Sequence, residues 1–282
     1  MAVIRIGYND WQERVTVSEK IIECFDSKDY AKIAFENRDK YQSNKPFSHI
    51  VLDNFLPIDI ANLLASDYPS TENNTKGWKY HKNENVDRYF VEDTRAFGDN
   101  LRQFANAVKS RSFLLFLETL TGISSLLPDP YFLGGGAMAT GPGGFLNVHV
   151  DFNWHQRLQS WRRCNALFYL NPDWQNDWGG ELELWSTDGK TKQAEVKPIF
   201  NRVVIFSTTK YSFHGQPSKT QSPPGQFRKV FSAFYYGSER SELIDESPHF
   251  TRYNEKNNND IALRETSPYS QQIIDDYLQG II

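Results

Sequence analysis

Between Tyr131 and Gly237 the apolar residues recur at nearly every second position, and that period decides what this chain can fold into. Successive side chains of a strand face opposite sides, so a period of two belongs to sheets with one covered face. The pattern predicts eight strands, at 131–138, 145–151, 163–170, 180–185, 193–197, 202–207, 210–214 and 227–236. Turn residues separate them: Gly141-Pro142-Gly143-Gly144, Asn171-Pro172, Gly179-Gly180, Asp188-Gly189 and Asn201. Eight short strands with no long helix between them point to a two-sheet jelly roll. Phe, Tyr and Trp make up 15% of the chain, which suits wide sheets.

The flanks follow another period. Residues 1–44 are polar and mixed, with one weak amphipathic helix over 17–25. A strand at 47–52 ends in Asn54-Phe55-Leu56-Pro57, and Pro57 suits the first turn of a helix. Ile58, Ala61, Leu64 and Ala65 give that helix its apolar face. Residues 72–92, polar with Trp78, Tyr80 and Tyr89, are expected as an irregular surface segment, in reach of a site mouth. Leu101, Phe104, Ala105 and Val108 mark one helix. Ser112 is expected to cap a second, carrying Phe113, Leu114, Leu117 and Leu120 and stopped by Gly122. Past Asn257-Asn258-Asn259, Ser267-Pro268 opens a final helix closed by Gly280. With no repeat and no low-complexity linker, the expectation is one domain over 1–282. Its core spans about 131–236, between helical flanks at 1–130 and 237–282.

Bulk properties narrow the partners. A net charge of −4 offers no basic face for nucleic acid. Two cysteines, Cys24 and Cys164, are too few for a disulfide framework and fit a reducing compartment. No apolar run reads as a signal peptide or a membrane span. A cytoplasmic protein without nucleic-acid or membrane partners is expected; its oligomeric state stays open.

The chemistry concentrates at Asn147-Val-His149-Val-Asp151. On a strand, His149 and Asp151 leave the backbone in one direction, two corners of a metal site. His214 is the candidate third corner. Two imidazoles and one carboxylate on one face form the ligand set of a non-haem Fe(II) centre, whereas the pair alone would equally suit a solvated strand end. On the strand at 227–236, Arg228, Val230, Ser232 and Phe234 share a face. An arginine inside a barrel needs an anion. An internal Arg–Asp pair and a bound carboxylate both satisfy that need.

Further motifs follow in order: Arg163-Cys-Asn-Ala-Leu-Phe-Tyr-Leu-Asn171, Asp173-Trp174, Gly179-Gly180-Glu-Leu-Glu-Leu, Asn201-Arg202-Val-Val-Ile-Phe206, His214 and Arg228. The ordered set resembles the prolyl 4-hydroxylase-like branch of the Fe(II)/2-oxoglutarate-dependent dioxygenases. It covers about 131–236, and residues 45–69 resemble the opening strand and helix of bacterial members. The resemblance implies a mainly β fold with flanking helices around a double-stranded β-helix (jelly roll) core. It implies iron at His149, Asp151 and His214, and the distal carboxylate of 2-oxoglutarate on Arg228. Ser232 stands where the family often has Thr, and Tyr169 would lie near the cosubstrate. Asn147, on the face of His149, and Asn165, on the face of Tyr169, are candidates for further cosubstrate contacts.

Two departures stand out. Met138-Ala139-Thr140 occupies a region where many relatives carry a Tyr, and the stretch between His214 and Arg228 reads as an inserted loop with Pro217, Pro223, Pro224 and Gly225. The implied reaction consumes O2 and 2-oxoglutarate, releases succinate and CO2, and allows ascorbate as an accessory. It would hydroxylate an unactivated C–H of an amino-acid-like, peptidyl (including prolyl) or natural-product substrate. The same chemistry can end in desaturation or cyclisation, and a non-catalytic cupin-like binding protein is the alternative from another class. Asp151 counts against a halogenase, which has a small residue there.

Other residues carry weaker expectations. His155 is expected in a loop, and His49, His81 and His249 as structural or solvated. Trp154, Trp161, Trp174 and Trp178 are expected near the mouth, mostly as packing. Arg157, Arg162 and Arg163 read as a solvated face that could also meet an acidic substrate group, and Cys164 as a small buried hydrophobe.

Overall fold

Helices dominate the first part of the chain and strands the second. The computed structural model describes residues 17–69, 77–239 and 247–254. Helices α1 (17–22) and α2 (Lys28–Ser43) precede β1 (His49–Leu52) and α3 (Ile58–Ser66). A hairpin, β2 (Lys79–Lys82) and β3 (Val86–Val91), leads to α4 (Asp99–Ala107) and α5 (Arg111–Thr121). The core strands are β4 (Leu127–Pro128), β5 (Gly136–Thr140), β6 (Phe145–Val150), β7 (Trp154–His155), β8 (Ser160–Tyr169), β9 (Leu182–Trp185), β10 (Lys192–Val196), β11 (Arg202–Ser207), β12 (His214–Gln216) and β13 (Arg228–Gly237). A short β14 (Arg252–Tyr253) pairs with β6.

These strands form one antiparallel system in the order β1-β11-β8-β13-β5-β3-β6-β12-β9-β10. The system curls on itself, so Leu182 and Leu184 of β9 pack on Tyr169, Val204, Phe206 and Val230. This is the expected double-stranded β-helix. Its other face carries Cys164, Ala166, Phe168, Ile205 and Phe231, which meet the helices. There Phe104 stands edge-on to Phe168 and Phe231, with centroids 5.0 and 5.4 Å away. Each such buried ring contributes about 1.5–3 kcal/mol by leaving water. β8 and β13 are thus covered on both faces, which is where many of the aromatics go.

Several boundaries move for identifiable reasons. α2 escapes periodicity because only Tyr30, Ala34 and Tyr41 of its 16 residues are buried. Ser27 caps it by accepting from the Asp29 amide at 3.2 Å. α5 is capped by Ser110, whose hydroxyl accepts from Phe113 N at 3.3 Å, while Ser112 donates to Asp26 instead. Gly122 ends α5 at φ 76°, in the left-handed region that favours glycine. The segment 72–92 is corrected most. Its residues 79–91 form a hairpin, and β3 is inserted between β5 and β6 by the pairs Phe90↔Met138 and Val86↔Leu146. The strand at 131–138 begins only at Gly136, and that at 210–214 becomes a turn leading into His214–Gln216. The final helix expected at 267–280 lies outside the described residues. Among the described residues, no helix is long and apolar enough to cross a membrane.

Both thiols are buried, and burial pushes each up to about 12. The native protein is therefore expected to consume no aromatic disulfide reagent at pH 8, and two equivalents in guanidinium, one for each cysteine. A thiol that reacts promptly in the native state would contradict this packing.

Candidate active site

The register of β6 on β12 sets His149 directly opposite His214. Their rings lie 4.5 Å apart, both buried. Each Nδ1 is bound to the carbonyl two residues earlier, His149 to Asn147 O at 2.8 Å and His214 to Ser212 O at 2.9 Å. A carbonyl only accepts, so Nδ1 holds the proton and Nε2 keeps its lone pair. Both Nε2 atoms face Asp151, 3.6 Å from Oδ1 and 3.6 Å from Oδ2 respectively. One ligand atom from each of the three residues lies within 4.8 Å of the others.

The charge states suit a divalent cation. Burial lowers the pKa of His214 to about 4, against the pull of Asp151, so its imidazole is neutral at neutral pH. Burial raises Asp151, but the Arg162 guanidinium and then the two histidines more than offset it, holding the carboxyl well below its usual range. Arg162 Nη2 lies 3.1 Å from Asp151 Oδ2, and Asn165 Nδ2 donates to that oxygen at 2.8 Å. Arg162 Nε in turn donates to Asn165 Oδ1 at 2.9 Å, and its guanidinium lies between the rings of Phe152 and Phe234. Two imidazole nitrogen donors and an anchored carboxylate fit Fe(II), and the Nδ1–carbonyl bonds are the outer contacts such ligands need.

The three residues open into a cavity of about 550 Å³, and Arg228 lines the same cavity. Arg228 Nε donates to Gly180 O at 2.6 Å, and Nη2 to the Tyr169 hydroxyl at 3.2 Å. Gly180 has φ 82°, and a Cβ there would sit 2.9 Å from Arg228 Cδ. The Gly179-Gly180 pair is thus more than a turn, because it lets the arginine lie flat against the backbone. No carboxylate among the described residues pairs with Arg228. An internal Arg–Asp pair, left open by the sequence, is not what the structure has here. The fork keeps donors for an anion of the 2-oxoglutarate type. Ser232 also lines the cavity, its hydroxyl 3.5 Å from Met138 Sδ.

Not every expected residue arrives. Asn147 lies outside the cavity, with its amide on Glu84 O and Asn85 Oδ1, both at 3.1 Å. The cause is a bulge: His214 pairs with His149 but Gln216 with Leu146, so parity changes between them and Leu146 faces in instead. Asn165 reaches the Asp151 carboxylate rather than a cosubstrate position. Arg162 is no solvated face. Tyr235 pairs with Cys164 but Tyr236 with Arg162, and skipping Arg163 turns Arg162 inward. Arg163 donates to Glu239 O, and Arg157 stacks on Tyr131. His155 is buried beside Asp129 at 3.3 Å, away from the cavity, whereas His81, His249 and Trp154 line it. Arg88, within the segment expected in reach of the mouth but not singled out there, also lines it, as do Pro248, Phe250, Thr251 and Tyr253, which were not expected at the site.

Replacing Arg162 with Met removes one half of a buried pair. The metal-free variant is expected to lose about 3–5 kcal/mol in urea denaturation. A loss under about 1 kcal/mol, the range of surface pairs, would show that Asp151 does not depend on it.

Known proteins agree with this geometry. The family model of the 2OG-Fe(II) oxygenase superfamily matches residues 135–236. A mouse (Mus musculus) protein, prolyl 3-hydroxylase OGFOD1, is 34% identical over 80 residues, 27% of this chain and 14% of that protein. The match thus spans about a seventh of that relative's length. A prolyl-4-hydroxylase structure from Pseudomonas putida superposes with a TM-score of 0.51 at 19% identity, covering 72% of this chain and 98% of the other. A prolyl 4-hydroxylase structure from Phytophthora capsici gives 0.50 at 19% identity, covering 78% and 65%. Over residues 135–236 the chain thus resembles the 2OG-Fe(II) oxygenase superfamily. The solved prolyl 4-hydroxylases share its fold.

Proposed function

We propose that this chain hydroxylates an unactivated C–H of an amino-acid-like or peptidyl substrate, with 2-oxoglutarate consumed and succinate and CO2 released. One observation carries the reading: His149, Asp151 and His214 converge in the cavity where Arg228 has no carboxylate partner among the described residues. Bound iron, with O2 and 2-oxoglutarate, supplies the oxidising chemistry. The chain's own groups position it. His149 and His214 offer their Nε2 atoms, and Asp151 offers one oxygen while Arg162 and Asn165 hold the other. Arg228, oriented by Gly180 O and the Tyr169 hydroxyl, holds the distal carboxylate, and Ser232 offers it a hydroxyl. Leu167, Leu182, Phe206 and Val230 keep water from the space between.

The prolyl hydroxylases among its relatives support a prolyl or other amino-acid-like target, and the aromatic mouth suits a small or peptidyl one. The decisive test is succinate release from 2-oxoglutarate under Fe(II), with candidate amino acids and peptides screened for the added mass of one oxygen atom. A product two hydrogens lighter would move the reading to desaturation or cyclisation. Metal and 2-oxoglutarate binding without succinate under any candidate would leave a binding protein.

A further inference from the structure

Three arginines line the cavity, and two of them have an anion assigned. Arg162 is balanced by Asp151, and Arg228 by the distal carboxylate of the cosubstrate. Arg88, on β3, has none. Its Nη1 donates to the Met138 thioether at 3.4 Å, a weak acceptor, and its Nε is buried without a hydrogen-bond partner. The acids of its own hairpin are engaged elsewhere. Asp87 holds Lys82 at 2.9 Å and the Tyr80 hydroxyl at 2.8 Å. Glu92 holds Lys79 at 3.1 Å and accepts from Gly134 N at 2.6 Å. No other described carboxylate comes within ion-pair distance of Arg88.

We propose that Arg88 is the receptor for a carboxylate carried by the primary substrate, close to the carbon that reacts. The inference rests on the oxygenase reading above and narrows its substrate to an apolar body with one anionic handle. Three observations support it. A guanidinium stays charged in proteins; that of Arg88 is half-buried, with its Nε shut off from solvent, and lacks an anion until a ligand supplies one. Burial and the like charges of Arg228 and Arg162 work against Arg88, and Tyr253 and Asp151 offset them only in part. Phe90, Trp154 and Phe250 supply an apolar wall to the same cavity. The arginine is rooted two strands away from the cosubstrate's anchor, in the same row of the sheet. Arg88 belongs to β3 and Arg228 to β13, with β5 between them in the sheet.

The test uses protein loaded with Ni(II) and 2-oxoglutarate, so that nothing turns over. Calorimetry compares N-acetyl amino acids with their primary amides, in matched pairs. Wild type is expected to bind the carboxylate of at least one apolar pair about 10-fold or more tighter than the amide. In Arg88→Gln that ratio falls to about one through loss of carboxylate affinity, and Arg88→Lys restores part of it. Because Arg88→Gln removes an unpaired, half-buried charge, it is expected to melt no lower than wild type. No preference in any pair, or a preference that survives Arg88→Gln, overturns the proposal. So does a much lower melting temperature, which marks a structural arginine. A loss of 2-oxoglutarate affinity as large as that of Arg228→Ala assigns Arg88 to the cosubstrate and also overturns it. Failure of the loading step sinks the oxygenase reading separately, and the same pairs on the metal-free protein then decide Arg88.

Discussion

Asp151→Ala is expected to lose metal, turnover and part of the fold together. The carboxylate has two separate partnerships. One oxygen faces His149 Nε2, and the other is held by Arg162 at 3.1 Å and Asn165 at 2.8 Å. Loss of a direct ligand should weaken Ni(II) or Co(II) binding by more than the roughly 10–100-fold typical of outer contacts. Loss of the buried pair strands the Arg162 guanidinium, at about 3–5 kcal/mol of stability. His214→Ala makes the contrast. It removes a ligand but strands no charge, so metal affinity falls while urea stability falls far less. Calorimetric metal titration and urea denaturation of the metal-free proteins check both halves. Equal stability losses in the two variants would contradict the Arg162–Asp151 pairing, and retained metal binding would contradict the site.

Arg228→Ala is expected to raise the KM for 2-oxoglutarate by about 30- to 700-fold, the equivalent of about 2–4 kcal/mol. The fork is buried, two of its donors are already anchored by Gly180 O and the Tyr169 hydroxyl, and the remainder face the cavity. Anchoring means that little side-chain freedom is lost when the carboxylate arrives. Arg228→Lys keeps the charge but loses the flat two-point contact, so an intermediate KM is expected. At saturating 2-oxoglutarate the Ala variant should recover much of its turnover, since the arginine touches only the end remote from the reacting atoms. Succinate release against 2-oxoglutarate concentration decides it. An unchanged KM would place the cosubstrate elsewhere.

Much of this site was legible because it is local. His149 and Asp151 are two residues apart, and a strand's alternation alone sends both side chains one way. The jelly roll followed from the same period, and Gly122 stopped α5 where left-handed backbone was needed. What failed did so at places where alternation breaks. A bulge near Asn147 turned that residue away, and another at Arg163 brought Arg162 inside. The hairpin of β2 and β3 was missed because β3 turns Arg88 toward a cavity, which weakens the apolar signal of a strand.

The chain's own letters therefore determined the period, the turns, two corners of the His149–Asp151–His214 cluster and the arginine proposed to take a carboxylate. Those are properties of neighbours in sequence, governed by backbone geometry. Tertiary structure decided which His meets the pair, which arginine balances Asp151, and that Arg88 is left without an anion. Each of these depends on strand register and on where a bulge shifts it by one residue. Register is settled by packing among strands far apart in the chain, and no local pattern encodes it.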